Sequence, residues 1–118
     1  MSSTSDTPAG PDAAGLARAR RVFGVTAARM DMILLTLNRG EVTATEFMDE
    51  LGLSRSGVER QLKLLTEQGI LSERRATQPR NRGQIIYWRI AEPAELRRLW
   101  NLISEQIETG VNRELERD

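Results

Sequence analysis

Two short helices and the turn between them are encoded by residues 43–69, which read TATEFMDELGLSRSGVERQLKLLTEQG. Thr43 and Glu46 have the spacing of a capping box, in which each side chain accepts a hydrogen bond from the other residue's backbone amide. Gly52 stands where a left-handed residue would end the first helix, and Ser54 can cap the start of a second one. Two helices joined by a turn of three or four residues that contains glycine are typical of a helix-turn-helix.

The second helix of this pair is predicted over residues 55–68, and its two faces differ in chemistry. At 100° per residue one face is apolar, and its members are Val58, Leu62 and Leu65. The other face and the helix start carry groups that can bond base edges and phosphates in a major groove. With Thr45 from the first helix, these candidate DNA-binding residues are Ser54, Arg55, Ser56, Glu59, Arg60 and Lys63. Glu59 can accept from a cytosine amino group, so we expect it to contribute specificity.

After Gly69 the spacing of apolar side chains changes from the helical period to the alternation typical of a strand. Residues 71–75 and 84–90 are strand candidates, and the second is rich in β-branched and aromatic side chains. Between them, residues 76–83 contain Pro, Asn and Gly and are predicted to form the turn of a β-hairpin. The tip of this hairpin carries Arg80, Asn81 and Arg82, which are predicted to contact a minor groove or the DNA backbone.

The N-terminal part combines a tail with two further predicted helices. Residues 1–11 are mostly Ser, Thr, Pro, Ala and Gly and are predicted to be a disordered tail. Helices are predicted over 13–23, capped by Asp12, and over 27–39, capped by Thr26. The face of the second helix expected to point to the core comprises Ala27, Met30, Ile33, Leu34 and Leu37.

A long amphipathic helix is predicted from Pro93 onward, and Gly110 is a point at which it could end. Its apolar stripe exceeds what the core of so small a domain needs, which indicates a dimer interface; the alternative is packing on its own domain. The residues of this helix expected at the interface are Leu99, Trp100, Ile103 and Ile107.

Composition limits the function further. The 118 residues suffice for one domain, placed at 12–118 after the tail. The chain has no cysteine and no histidine, which excludes thiol chemistry and the usual neutral-pH general base. An enzyme, a metal site and a cofactor are therefore not expected. No apolar run approaches a membrane span and the N-terminus has no apolar signal core, so a cytoplasmic protein is expected.

Charge is balanced overall but segregated along the chain. Residues 54–90 carry eight basic and three acidic side chains, a net charge of +5, whereas residues 1–53 and 91–118 have net charges of −2 and −3. The basic residues of this central block are Arg55, Arg60, Lys63, Arg74, Arg75, Arg80, Arg82 and Arg89. This polarity favours contact with a polyanion on one face, although an ordinary solvated surface would also explain it.

These features together resemble the ArsR-type winged-helix repressors of bacteria, with MarR-type regulators as near neighbours. The resemblance rests on residues 28–34, 51–65, 68–71 and 86–90 and extends over roughly residues 12–107. It implies a mainly α fold with a small β-hairpin, namely a winged helix-turn-helix that dimerises through its terminal helices. The first helix would then contribute Leu16 to the interface. It also implies operator binding and a repression that an effector relieves. Metal-sensing members use Cys or His ligands, which this chain lacks.

We therefore expect a DNA-binding transcriptional regulator, a homodimeric repressor that reads a near-palindromic operator in double-stranded DNA. Helix 55–68 would enter the major groove and the wing at 76–83 would contact the minor groove or the backbone. The alternative is a winged-helix adaptor that binds proteins and not DNA. The operator sequence, the regulated genes, repression versus activation, and any small-molecule effector stay open at this point.

Overall fold

The computed structural model describes residues 12–24, 26–77 and 83–117, so the predicted tail lies outside the described residues. In that part of the chain there are five α-helices and three β-strands. The helices are α1 (Ala13–Phe23), α2 (Ala27–Arg39), α3 (Ala44–Leu51), α4 (Arg55–Glu67) and α5 (Pro93–Leu115), and the strands are β1 (Val42–Thr43), β2 (Leu71–Thr77) and β3 (Gln84–Ile90). The chain divides into two compact units, Thr26–Pro93 and the combination of Met1–Val25 with Ala94–Asp118.

The helix-turn-helix predicted from local chemistry is confirmed. The Glu46 amide donates to Thr43 Oγ1 at 3.1 Å, and the Thr43 amide donates to Glu46 Oε1 at 2.8 Å, which completes the capping box at the start of α3. Gly52 adopts a left-handed φ of 66° after α3, and the Leu53 amide donates to the Met48 carbonyl at 3.2 Å. This pattern of bonds is that of a Schellman motif and directs the chain into α4.

The core of the central unit draws on every helix and strand that it contains except β3. Its fully or almost fully buried apolar side chains are Met32, Ile33, Val42, Phe47, Val58, Leu62, Leu65, Ile70 and Leu71. On α4, the three residues predicted to face inward are all in this set, and the prediction for that helix is confirmed.

The predicted inner face of α2 is wrong. Leu34 and Leu37 are 53% and 51% exposed, and the residues buried on this helix are Arg29, Met32, Ile33 and Thr36. The two polar members can be buried because their polar groups are bonded: Thr36 Oγ1 donates to the Met32 carbonyl at 2.7 Å, and Arg29 donates to a side chain of α4. Only Ile33 belongs to both the expected and the observed face.

The strands form one antiparallel sheet in the order β1–β3–β2. The hairpin pairs Leu71 with Ile90 at its base and Thr77 with Gln84 towards its tip. Strand β2 therefore continues two residues beyond its predicted end, into the segment expected to be turn. Strand β1 pairs Thr43 with Tyr87 and was not predicted, because its two residues are too few to show an alternating pattern.

Ion pairs and one ring contact join α1 to α5 in the other unit. Asp12 caps α1, its Oδ1 accepting from the Gly15 amide at 2.7 Å, and its Oδ2 pairs with Arg98. Arg98 also donates to both oxygens of Glu95 at 2.8 Å, and Glu95 pairs with Arg18. The rings of Phe23 and Trp100 meet edge-on with centroids 5.3 Å apart.

Helix α5 continues through Gly110 to Leu115, so the glycine does not end it. A glycine in a helix interior lowers helix stability by about 1 kcal/mol relative to alanine. The hydrogen-bonded turns on either side of Gly110 can offset this cost.

Candidate nucleic-acid interface

Helix α4 is held by its apolar face and leaves its polar face in solvent. Val58 and Leu65 are completely buried and Leu62 is nearly so. All the polar residues predicted for the opposite face and for the helix start are exposed: Ser54, Arg55, Ser56, Glu59, Arg60 and Lys63. Thr45, in the first turn of α3, is exposed as well.

The start of α4 is fixed by Ser54, whose Oγ accepts from the Gly57 amide at 3.1 Å. A Cβ on Gly57 would lie 3.0 Å from that same Oγ, so the glycine leaves room for the cap. This contact gives the glycine a local structural role inside the helix. The remaining free amides of the first turn point along the helix axis, where a phosphate can bind them.

The charged side chains on the exposed face of α4 differ in their pairing. Arg55 lies 3.8 Å from Glu59, a loose i,i+4 pair between two well-exposed side chains. Arg60 and Lys63 form no ion pair with any residue in the described part of the chain. These two cations are therefore free to meet an external anion.

Beneath α4 lies a polar contact that the sequence analysis missed. Arg29 of α2 donates from Nε to Gln61 Oε1 at 2.6 Å, and both residues are buried. Burial lowers the pKa of the Arg29 guanidinium. Gln61 lies at the edge of the apolar face that Val58, Leu62 and Leu65 form, and a glutamine at such a position is the signal that could have revealed a buried partner.

The wing arginines of the central basic block are partly neutralised. Arg74 donates two hydrogen bonds to Glu41, at 2.8 and 2.9 Å, and this pairing lowers the pKa of Glu41 and raises that of Arg74. Arg75 pairs with Glu73 at 3.0 Å, within the same strand. The predicted contacts at the hairpin tip, Arg80, Asn81 and Arg82, lie outside the described residues.

The residues predicted for a dimer interface fall into three groups. Leu99 is completely buried within the chain, so it belongs to the protein's own core. Leu16 and Ile103 are half-buried. Trp100 and Ile107 are 49% and 61% exposed, and the same helix also exposes Val111 and Leu115.

Two features are absent from the described residues. No group of three or more acidic side chains is placed to hold a metal ion there. No helix within that part of the chain combines the length and apolar character needed to cross a membrane.

A helix-turn-helix followed by a two-stranded wing, with a cationic face on its second helix, defines a winged-helix DNA-binding domain of the kind found in transcriptional regulators. Comparison with protein families bears this out, since the model of the MarR family matches residues 23–82, just over half of the chain. The chain belongs to the MarR family and is a transcriptional regulator rather than an enzyme.

Solved structures share the fold at low sequence identity. A possible transcriptional regulator from Methanosarcina mazei is 20% identical with a TM-score of 0.59, over 85% of this chain and 84% of that one. HlyU from Vibrio cholerae is 19% identical with a TM-score of 0.55, over 76% and 86%. The adhesin competence repressor from Streptococcus pyogenes is 20% identical with a TM-score of 0.52, over 79% and 67%. A comparison with curated protein sequences gave no significant match.

Proposed function

We propose that the protein is a homodimeric repressor that reads a near-palindromic operator with α4. The proposal depends mainly on one observation about the exposed face of α4. Arg60 and Lys63 are exposed to solvent and form no ion pair with any described residue. A surface that leaves cations uncompensated, on a helix whose other face is buried, is suited to a polyanionic ligand.

The dimensions of α4 fit a major groove. Its 13 residues span about 20 Å, and the groove is about 12 Å wide, so the N-terminal half of the helix can enter it. In this arrangement Arg55, Glu59 and Arg60 reach base edges while Ser54, Ser56 and Lys63 contact phosphates. Thr45 on α3 contacts the backbone, and the contacts predicted for Arg80, Asn81 and Arg82 are to the minor groove or the backbone.

Dimerisation through α5 would supply the second half of the operator. Trp100 and Ile107 expose apolar surface on one stripe of this helix, continued by Val111 and Leu115, and Ile103 and Leu16 lie partly exposed. Leu99 is left out of the proposed interface because it is already buried. A two-fold dimer places two copies of α4 in successive major grooves, about 34 Å apart, on a near-palindromic site.

Repression follows if the occupied operator overlaps a promoter, since the bound dimer then blocks access to it. The Streptococcus pyogenes neighbour is itself described as a repressor. The closer likeness to ArsR-type repressors stays a prediction beside the MarR family match.

The proposal has two further parts. Because the proposed ligand is chromosomal DNA, we expect the protein in the cytoplasm. An effector that relieves repression is also proposed, without an assigned site.

The proposal is tested by selecting duplexes from a random pool and titrating the enriched sequence by fluorescence anisotropy. Arg60→Ala and Lys63→Ala should each weaken binding by about tenfold, because each removes one contact to a base or phosphate. Arg113→Ala is the matched control, since it removes one exposed arginine from α5. If each subunit neutralises three or four phosphates, log affinity against log salt should fall with a slope of roughly −5 to −7 for the dimer.

Equal affinities for Arg60→Ala and Arg113→Ala would contradict the assignment of the reading face. Failure of the wild-type protein to retain any duplex at low salt would contradict DNA binding itself. That second outcome would favour a protein-binding adaptor built on the same fold.

A further inference from the structure

The hydrogen bond between Arg29 and Gln61 joins two helices through the interior of the central unit. Arg29 Nε donates to Gln61 Oε1 at 2.6 Å, and the two residues are only 6% and 8% exposed. Arg29 lies in the first turn of α2, where its own amide donates to Thr26 Oγ1 at 3.2 Å. The guanidinium is thus attached to a capped, well-defined helix start.

The other buried side chains of α4 are apolar. Val58, Leu62 and Leu65 hold the helix against the core through contacts that are favourable over a range of orientations, because the hydrophobic effect is non-directional. A hydrogen bond weakens steeply when its angle departs from linear. The Arg29–Gln61 bond adds a directional contact to this face, and its geometry depends on how far α4 is rotated.

We infer that Arg29 and Gln61 are positioning residues that set the rotation of α4 about its axis and so determine which side chains read DNA. This inference rests on the proposed function. Gln61 directly follows Arg60 and precedes Lys63 by two positions, so a rotation that breaks the buried bond also displaces both cations. A helix with side chains has a radius of about 5–6 Å, so a turn of about 20° moves a side chain by about 2 Å. A shift of that size breaks a hydrogen bond to a base edge.

Phosphate contacts tolerate such a shift better than base contacts do, because the phosphate backbone is continuous and the attraction is electrostatic. Loss of the Arg29–Gln61 hydrogen bond should therefore reduce the preference for operator over other DNA. It should reduce the affinity for non-operator DNA less. This separates a positioning role from a merely structural one, since a partly unfolded protein would lose both kinds of binding together.

The test measures the ratio of operator affinity to the affinity for a scrambled duplex by anisotropy at one salt concentration. Gln61→Met removes the acceptor at similar size and should lower the ratio by about tenfold, with the scrambled duplex bound within about twofold of wild type. Gln61→Glu keeps an acceptor oxygen for Arg29 and should retain the wild-type ratio. Ile33→Val is the control, because it shortens a buried side chain of α2 that carries no hydrogen-bonding group.

An unchanged ratio in Gln61→Met overturns the inference, and so does an equal loss in Ile33→Val. If Gln61→Met does not fold, Arg29→Met replaces it as the variant that removes the donor, with the same expectation. Arg60→Ala tests the proposed function separately. If this variant binds operator as wild type does, α4 is not the reading helix. If it binds operator more weakly while Gln61→Met keeps the wild-type affinity ratio, only the positioning role is rejected.

Discussion

The guanidinium of Arg74 and the carboxylate of Glu41 form a two-bond ion pair across the sheet, at 2.8 and 2.9 Å. Arg74 belongs to β2, and Glu41 stands directly before β1 at the opposite edge. Between them the arginine crosses β3, where its Cζ lies 4.5 Å from the centroid of the Tyr87 ring. One side chain thus ties the wing to the segment that leads into α3, which makes it part of the wing's architecture.

Arg74→Ala should loosen the wing, because it removes both the ion pair and the contact with Tyr87. The expected result is faster amide hydrogen exchange along β2 and β3, with operator affinity reduced less than in Arg60→Ala. Arg75→Ala is the matched control, since its partner Glu73 lies on the same strand and joins no separate elements. Equal exchange rates in the two variants would show that Arg74 does not restrain the wing.

Ser54 caps α4, and it is also one of the proposed DNA contacts, so substitution can separate the observed role from the proposed one. Its Oγ accepts from the Gly57 amide, so Ser54→Ala should lower the free energy of unfolding by about 1 kcal/mol, measured by urea denaturation. Ser54→Asp keeps a capping oxygen and should retain stability, but its charge would meet a phosphate and weaken operator binding at least tenfold. An Asp variant that binds DNA as wild type does would remove Ser54 from the proposed contacts.

Acid should destabilise the unit that contains α1 and α5. The hydrogen bonds from Arg98, with a smaller contribution from Arg18, lower the pKa of Glu95 from 4.5 to about 2. A carboxylate whose pKa is depressed in the folded state stabilises that state above its unfolded pKa, and the contribution disappears as pH falls through the folded value. The melting temperature should therefore decline from about pH 4.5 towards pH 2.

Glu95→Gln should remove part of this decline and should melt at a lower temperature than wild type at pH 6. The pKa of Asp12 is also lowered, by its bond from the Gly15 amide and by Arg98, so some acid sensitivity should persist. Glu105→Gln, at an exposed position of the same helix, is the control. Identical melting profiles for the two glutamine variants would count against Glu95 as the source.

Local chemistry made the helix-turn-helix predictable. Thr43, Glu46, Gly52 and Ser54 each satisfy backbone groups within a few residues of their own position, and those bonds do not depend on the rest of the fold. The inner face of α2 depends on distant partners instead. Arg29 is buried because Gln61, 32 positions away, accepts its hydrogen bond, and no periodicity in 27–39 could reveal that.

The observed face of α2 can be tested directly against the expected one. Met32→Ala should lower the free energy of unfolding by about 2–5 kcal/mol, because it empties a completely buried site. Leu34→Ala should change it by less than about 0.5 kcal/mol, because half of that side chain is already in solvent. Urea denaturation of the two variants decides between the two faces. If Leu34→Ala lost more unfolding free energy than Met32→Ala, the face predicted from the sequence would be the buried one.

The candidate site shows the same division between local and distant causes. Exposure of Arg60 and Lys63 follows from the helical spacing around Val58, so the polar face of α4 was predictable. The pairing of Arg74 with Glu41 depends on strand order, which the sequence did not reveal. Periodicity also placed Leu99 and Ile107 on one stripe of α5, but it could not say which of them the chain itself would cover.

Because the chain buries Leu99 but leaves Ile107 exposed, the proposed dimer can be tested by one substitution on α5. Ile107 is 61% exposed, so an aspartate there need not disturb the fold, but it would place a charge in an apolar interface. Ile107→Asp should weaken dimerisation by about 30-fold or more, the loss typical of a central interface residue, as measured by sedimentation equilibrium. Leu34→Asp puts the same charge at a similarly exposed leucine of α2 and should leave the dimer intact. Because two linked copies of α4 bind far more tightly than one, the monomeric variant should also lose operator affinity while each half-site contact stays available. A variant that stays dimeric would assign this stripe of α5 a different role.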